Sequence, residues 1–289
     1  MATHRFKTVD VFTSVPLKGN PVAVVFDADD LTDAQMLQIA SWTNLSETTF
    51  LCRPTPAGGA DYRLRIFHPT AELPFAGHPT IGSAHAALEA GLVSSREFVM
   101  ECGAGCLPLH TDGEAPERLI FVESPEAQFV HEFSTSVDAI SEALGTPVTA
   151  DPPPASVHNG PTWLFVQLPD AAAVAALEPD MTAVARLSDD FSITGIAPFA
   201  LTDGDTAVRI RAFAPFVGVP EDPVTGSANA SLPAYLRHFG LLERTGRSYV
   251  VSQGTEIGRD GRVHVRVGDD DRVEIGGQAV TVVEGEIRV

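Results

Sequence analysis

A chain of 289 residues with 38 acidic against 19 basic side chains carries a formal net charge of −19, which repels the phosphates of nucleic acid. Its composition, 44% hydrophobic and 20% charged, is that of a globular protein, and no apolar run approaches the roughly 18 residues that a membrane helix needs. The length allows two domains of ordinary size.

The opening Thr3-His4-Arg5-Phe6-Lys7 leads straight into an alternating strand pattern with no signal-like apolar region, so a cytoplasmic location is expected. Phe6 to Phe12 and Val22 to Phe26 read as a strand pair across Pro16-Leu17-Lys18-Gly19-Asn20. Thr32 with Gln35 three residues later predicts a capping box opening a helix to about Trp42. Asn44-Leu45-Ser46-Glu47-Thr48-Thr49-Phe50 then connects that helix to an apolar strand.

The most informative signal is a repeat. Gly77-His78-Pro79-Thr80-Ile81-Gly82-Ser83-Ala84-His85-Ala86-Ala87-Leu88 returns half a chain later as Glu221-Asp222-Pro223-Val224-Thr225-Gly226-Ser227-Ala228-Asn229-Ala230-Ser231-Leu232. Each copy follows a strand-like segment, Arg63-Leu64-Arg65-Ile66-Phe67 or Val208-Arg209-Ile210-Arg211-Ala212-Phe213, and precedes another that ends near a glycine, Gly103 or Gly254. Pro79 and Pro223 predict helix starts, because proline at the first helical position loses no hydrogen bond. Gly91 and Gly240 predict the matching stops. Pro233 falls inside the second helix, where a kink or an early end is expected. The small residues from Gly82 to Ala87 suit a helix packed on all sides by a curled sheet. Strands around one buried helix, twice over, make an α+β arrangement and not an alternating βαβ one.

The stiff Asp151-Pro152-Pro153-Pro154 run is the expected junction, giving domains 1–150 and 151–289. The last strand is a candidate to cross back to the first domain. Three cysteines, Cys52, Cys102 and Cys106, are too few for a disulfide framework. No second Cys/His pair follows Cys102 and Cys106, and the nine histidines lack H-x-x-x-H spacing, so no metal is expected.

Helix N-termini bind carboxylates through unpaired N–H groups and the positive end of the helix dipole. If the two halves face each other, the two helix starts converge on a cleft suited to a small anionic molecule. Each nearby residue also has a plain structural role open to it. Asp222 could cap its helix, His78 could be packed, Ser227 could bond its own helix, and Glu47 could be a surface carboxylate.

Taken together, the motifs go further. Arg65-Ile66-Phe67-His68-Pro69, Glu72-Leu73-Pro74-Phe75-Ala76-Gly77-His78-Pro79-Thr80 and Glu221-Asp222-Pro223-Val224-Thr225-Gly226-Ser227-Ala228 resemble the signatures of the phenazine-biosynthesis isomerase (PhzF-like) family. Asn20-Pro21-Val22-Ala23-Val24-Val25, Asn44-Leu45-Ser46-Glu47-Thr48 and Ser252-Gln253-Gly254 resemble further blocks of it, in order, from about Val9 to Arg259. The resemblance implies two pseudo-symmetric diaminopimelate-epimerase-like domains, each a curved sheet around a central helix, with the active site between them. It also implies a homodimer and no cofactor. The family's catalytic carboxylate falls on Glu47, and its cleft histidine, aspartate and serine on His78, Asp222 and Ser227. Gly77 and Gly226 become backbone donors to a substrate carboxylate.

Epimerases of this fold use two opposed thiols, but here the opposed positions carry His78 and Asp222, and no cysteine lies there. What remains is a cofactor-independent isomerase in which Glu47 moves a proton between two carbons of a small carboxylic acid, shifting a double bond. The family's substrate of this kind is trans-2,3-dihydro-3-hydroxyanthranilate. Two alternatives stay open: an amino- or hydroxy-acid racemase using Glu47 with His78 or Asp222, and a non-catalytic small-acid-binding protein.

Overall fold

The computed structural model of the chain describes residues 2–56 and 58–289. It divides into two compact units, one comprising residues 1–123 and 276–289 and the other residues 124–275. No helix among the described residues is long and apolar enough to cross a membrane.

The first unit runs β1 (Thr3–Val11), β2 (Asn20–Val25), α1 (Asp33–Thr43), β3 (Thr48–Cys52), β4 (Tyr62–His68), β5 (Ala71–Leu73), α2 (Gly77–Glu89), β6 (Glu97–Cys102), β7 (Gly105–Asp112) and β8 (Leu119–Glu123). The second runs β9 (Gln128–Glu132), α3 (Val137–Leu144), β10 (Ala155–His158), β11 (Thr162–Gln167), α4 (Ala171–Ala175), α5 (Met181–Asp190), β12 (Gly195–Leu201), β13 (Val208–Ile210), α6 (Gly226–His238), α7 (Leu242–Thr245), β14 (Ser248–Gln253) and β15 (Gly261–Val267). β16 (Val273–Gly277) and β17 (Ala279–Arg288) return the chain to the first unit.

The repeat in the sequence is a repeat in strand pairing. In the first unit β17, β1 and β2 are antiparallel neighbours, β2–β3 is parallel, β3–β4 antiparallel, β4–β6 parallel and β6–β7 antiparallel. In the second, β9, β10 and β11 are antiparallel neighbours, β11–β12 is parallel, β12–β13 antiparallel, β13–β14 parallel and β14–β15 antiparallel. Each parallel step follows a helical crossover, as the connection requires. The fold is therefore α+β, with the same sheet built twice.

Each sheet wraps its own helix. α2 touches β1 to β4 in the middle of its sheet and also β17 and β8 towards the two ends. α6 likewise touches β9, β10, β11 and β15. Small residues make this seat achievable: a Cβ on Gly82 would overlap the side chains of Val22 and Val11. Strand alternation puts Val22 on the face towards α2 and Val25 on the opposite face, where α1 covers it with Met36, Ile39 and Ala40. In the second unit α3, α4 and α5 bury Ile140, Leu144, Val174, Val184 and Leu187 against Leu164, Val166 and Ile196.

Several local expectations hold. Thr32 and Gln35 form the reciprocal capping box of α1. Gly91 and Gly240, at φ 71° and 68°, follow the ends of α2 and α6 in the left-handed conformation.

Others are corrected. The units divide at Glu123/Ser124, and the proline run at 152–154 lies inside the second unit. There β9 pairs with β10 across it, and Tyr235 Oη donates to the Pro153 carbonyl at 3.1 Å. α2 begins at Gly77, so Pro79 is its third residue, still within the first turn, where no intrahelical N–H is needed. α6 begins at Gly226, three residues after Pro223, because Asp222 to Thr225 are held in a loop by Gln253. α6 also runs past Pro233 to His238. Proline there removes the bond to the Asn229 carbonyl, and the packing of a helix buried from Ala228 to Leu236 outweighs that loss.

Candidate active site

In the first unit the candidate residues meet at the start of α2. α1 stops at Asn44, which takes φ 54° and returns its N–H to the Ala40 carbonyl. The chain turns at once into β3, and Ala23 N–H reaches the Glu47 carbonyl at 3.4 Å. Four hydroxyls fasten this turn through three hydrogen bonds: Thr43 and Thr48 Oγ1 lie 2.7 Å apart, Thr49 Oγ1 donates to the Ala23 carbonyl at 3.1 Å, and Ser83 Oγ of α2 donates to Thr49 Oγ1 at 2.8 Å. Glu47 is thereby set beside α2. Its Oε2 lies 3.4 Å from His78 Nε2, with side chains only 15% and 9% exposed. It is no surface carboxylate.

Burial pushes the His78 imidazole down to about 3 from 6.5, against a smaller opposing effect of its hydrogen bond to the Pro21 backbone. His78 is therefore neutral at pH 7, and its contact with Glu47 is not an ion pair. Because Nε2 makes no hydrogen bond, the ring N–H that meets Pro21 is Nδ1, and Nε2 is the unprotonated ring nitrogen, 3.4 Å from Glu47 Oε2.

In the second unit Asp222 sits in the loop before α6. Its N–H donates to the Ala212 carbonyl at 2.9 Å and its Oδ2 accepts from Thr225 Oγ1 at 2.7 Å, so it does not cap the helix directly. Thr225 is the N-cap. Next to Asp222, Glu221 forms a buried bidentate pair with Arg211, at 2.9 Å and 2.8 Å, and Arg211 also donates to the Leu177 carbonyl at 2.8 Å. Ser227, in the first turn of α6, accepts from Trp163 Nε1 at 3.0 Å rather than bonding its own helix through that contact.

The first intrahelical bonds are Thr80 N–H to Ala76 and Asn229 N–H to Thr225. Gly77 and His78 in one unit, and Gly226 and Ser227 in the other, thus lie in first turns whose N–H groups have no intrahelical acceptor. N–H groups left open in this way are what an anion meets at a helix start.

The three cysteines lie on strands, not at the helix starts. Cys52 is in β3 with its thiol pushed up to about 11, mainly by burial; Cys102 ends β6 and is raised for the same main reason. Cys106 is exposed and donates to the Gly58 carbonyl. Gln253, Thr225, Trp163 and the Arg211–Glu221 pair carry no role in the motif reading. The clue available was the Ser252-Gln253-Gly254 block itself, whose partner loop is remote in sequence.

Residues 9–285 match the family model described as phenazine biosynthesis-like protein, PhzC-PhzF. Among curated relatives, antisense-enhancing sequence 1 of Schizosaccharomyces pombe is 39% identical over 298 positions, covering 99% of each chain. The trans-2,3-dihydro-3-hydroxyanthranilate isomerase of Pseudomonas fluorescens is 38% identical over 290 positions, covering 98% of this chain and 99% of the relative. A crystal structure of the Bacillus anthracis phenazine biosynthesis protein of the PhzF family superposes with a TM-score of 0.88 at 28% identity, over the whole of both chains. Relatives named isomerases, matched over nearly the whole of both chains, and a PhzF-family structure of the same fold make this chain an isomerase of that fold. The chain belongs to the PhzC-PhzF family of phenazine biosynthesis-like proteins.

Proposed function

We propose that this protein moves a proton, and with it a double bond, within a small carboxylic acid, using Glu47 as the single acid/base. The carrying observation is the 3.4 Å approach of Glu47 Oε2 to the neutral His78 Nε2. As carboxylate, Glu47 takes a proton from a carbon activated by its neighbours, and the electron pair enters the conjugated system. As carboxylic acid, it returns that proton to another carbon, so the product has the formula of the substrate. His78 Nε2 offers a lone pair to the acid form, which supports the half of the cycle in which Glu47 carries the proton. Gly77 in the first unit, and Gly226 and Ser227 in the second, are donors for anionic oxygens of a substrate, with Asp222 a polar partner. The reaction so written uses protein side chains alone.

The relative's name makes trans-2,3-dihydro-3-hydroxyanthranilate the first substrate to try. The test incubates it, alongside a panel of small carboxylic acids, in deuterium oxide and follows conversion and label by mass spectrometry. An isomer of unchanged formula, with protium partly retained at the receiving carbon, is expected. Inversion at one carbon with no bond shift would make the protein a racemase. Binding without conversion or exchange of any acid would make it a binding protein.

A further inference from the structure

Gln253 ends β14 against the loop that carries Asp222, and its hydrogen bonds can be given only one set of directions. The Thr225 backbone N–H must donate, so the atom it meets at 3.0 Å is Oε1, which also takes Asn229 Nδ2–H at 3.1 Å. The other atom is then the NH2 group, and it donates to the Asp222 carbonyl at 3.0 Å and to Thr225 Oγ1 at 2.8 Å. A hydroxyl that accepts from an amide turns its own proton elsewhere, here to Asp222 Oδ2 at 2.7 Å. The order is therefore Gln253 to Thr225 to Asp222, and Asp222 Oδ2 is an acceptor. Gln253 and Thr225 are 2% and 3% exposed, so water does not replace either member. Gly254, at φ 92°, closes the seat: a Cβ there would overlap the Pro223 carbonyl.

We propose that Gln253 is a positioning residue which, through the Thr225 hydroxyl, holds Asp222 Oδ2 as an acceptor and so keeps the Asp222 carboxyl ionised. A hydrogen bond donated to a carboxylate favours the charged form, and one to an ionised group is about twice as strong as one between neutral groups. The consequence rests on the assignment of Asp222 to the substrate site: Asp222 then supplies fixed negative charge, and carrying the proton is left to Glu47.

The test reads Asp222 directly and needs no turnover, so it stands or falls separately from the proposed reaction. The full chain is labelled with carboxyl-13C aspartate, the Asp222 resonance is assigned by its loss in Asp222→Asn, and its titration is followed by NMR. Thr225→Val removes the hydroxyl. Gln253→Glu leaves an acceptor where the amide donated, so the Thr225 hydroxyl turns away from Asp222. Both should bind the Asp222 proton about tenfold more tightly than wild type, and Thr225→Ser should match wild type within about twofold. Thr225→Ala removes the same hydroxyl with a smaller side chain should valine prevent folding. A folded Thr225→Val, Thr225→Ala or Gln253→Glu variant whose Asp222 titrates as in wild type would overturn the proposal and leave Gln253 a loop fastener only.

Discussion

The indole Nε1–H of Trp163 reaches Ser227 Oγ at 3.0 Å. An indole N–H can only donate, so the serine oxygen accepts and directs its own proton to a different partner. At the open first turn of α6 such a hydroxyl is presented as a donor, which suits a carboxylate or carbonyl oxygen. The indole is tightly seated: a Cβ on Gly195 would come within 2.9 Å of Trp163 Cζ3.

Trp163→Phe keeps the aromatic body and removes this donor, leaving the Ser227 hydroxyl unoriented. KM for trans-2,3-dihydro-3-hydroxyanthranilate should rise about 3- to 10-fold with kcat within about twofold, the size of one ordinary hydrogen bond. Steady-state kinetics on folded variant check this. A fall in kcat at unchanged KM would instead place Ser227 at the reacting atoms.

Trp163 also marks where sequence reading stops. The duplication was legible because the same small-residue helix and flanking strands recur, and the pairing of β17 with β1 and of β9 with β10 repeats it in space. Thr32–Gln35, Gly91 and Gly240 were legible because capping is local. The division at Glu123/Ser124 was not: β9 joins β10 across an intervening helix and the proline run, and proline reads locally as a linker whatever pairs beyond it. The start of α6 was hidden for a related reason, since Gln253, remote in sequence, holds the loop before it. Glu47 and His78 could be picked out by motif, but their 3.4 Å approach depends on how β3 and α2 are fastened through Thr49 and Ser83.

The buried His78 predicts a pH dependence of stability. Its folded value, about 3, is below the 6.5 of an exposed imidazole. Between these values the unfolded chain binds the proton and the folded one does not, so stability rises with pH through this window and is lost on acidification. From about pH 7.5 to about pH 5.5, wild type should lose about 1 kcal/mol more than His78→Asn, which lacks the titrating ring. Urea unfolding at the two pH values measures the difference. Equal losses in the two proteins would mean that the ring is solvated in solution.

The thiols should be dispensable for turnover. Burial holds Cys52 protonated at neutral pH, with its thiol near 11, and raises Cys102 as well. Thiols so placed are weak nucleophiles and weak bases. Cys52→Ala, Cys102→Ser and Cys106→Ser should each keep kcat within about threefold of wild type, with the stability loss greatest at the buried positions. Iodoacetamide should modify Cys106 first, because it is the exposed one, without loss of activity. Inactivation that tracks modification of one thiol and is blocked by substrate would restore a thiol mechanism.

The decisive variant is Glu47→Gln. Glutamine keeps the length and hydrogen-bonding reach of glutamate but cannot take up a proton at the carboxylate, so it separates chemistry from architecture. The surrounding fastenings, Thr43 to Thr48 and Ser83 to Thr49, do not involve the Glu47 side chain and should survive the change. Thermal unfolding should therefore stay close to wild type. Substrate affinity, measured by calorimetry with trans-2,3-dihydro-3-hydroxyanthranilate, should change by less than about tenfold. Turnover should fall by at least about 100-fold, the lower end of what general acid–base catalysis contributes. Washout of label at the donor carbon in deuterium oxide should fall with it, since both need the same base. A variant that binds, folds and turns over like wild type would remove Glu47 from the mechanism. One that loses folding while each folded molecule keeps its turnover would make Glu47 a structural carboxylate that steadies the start of α2.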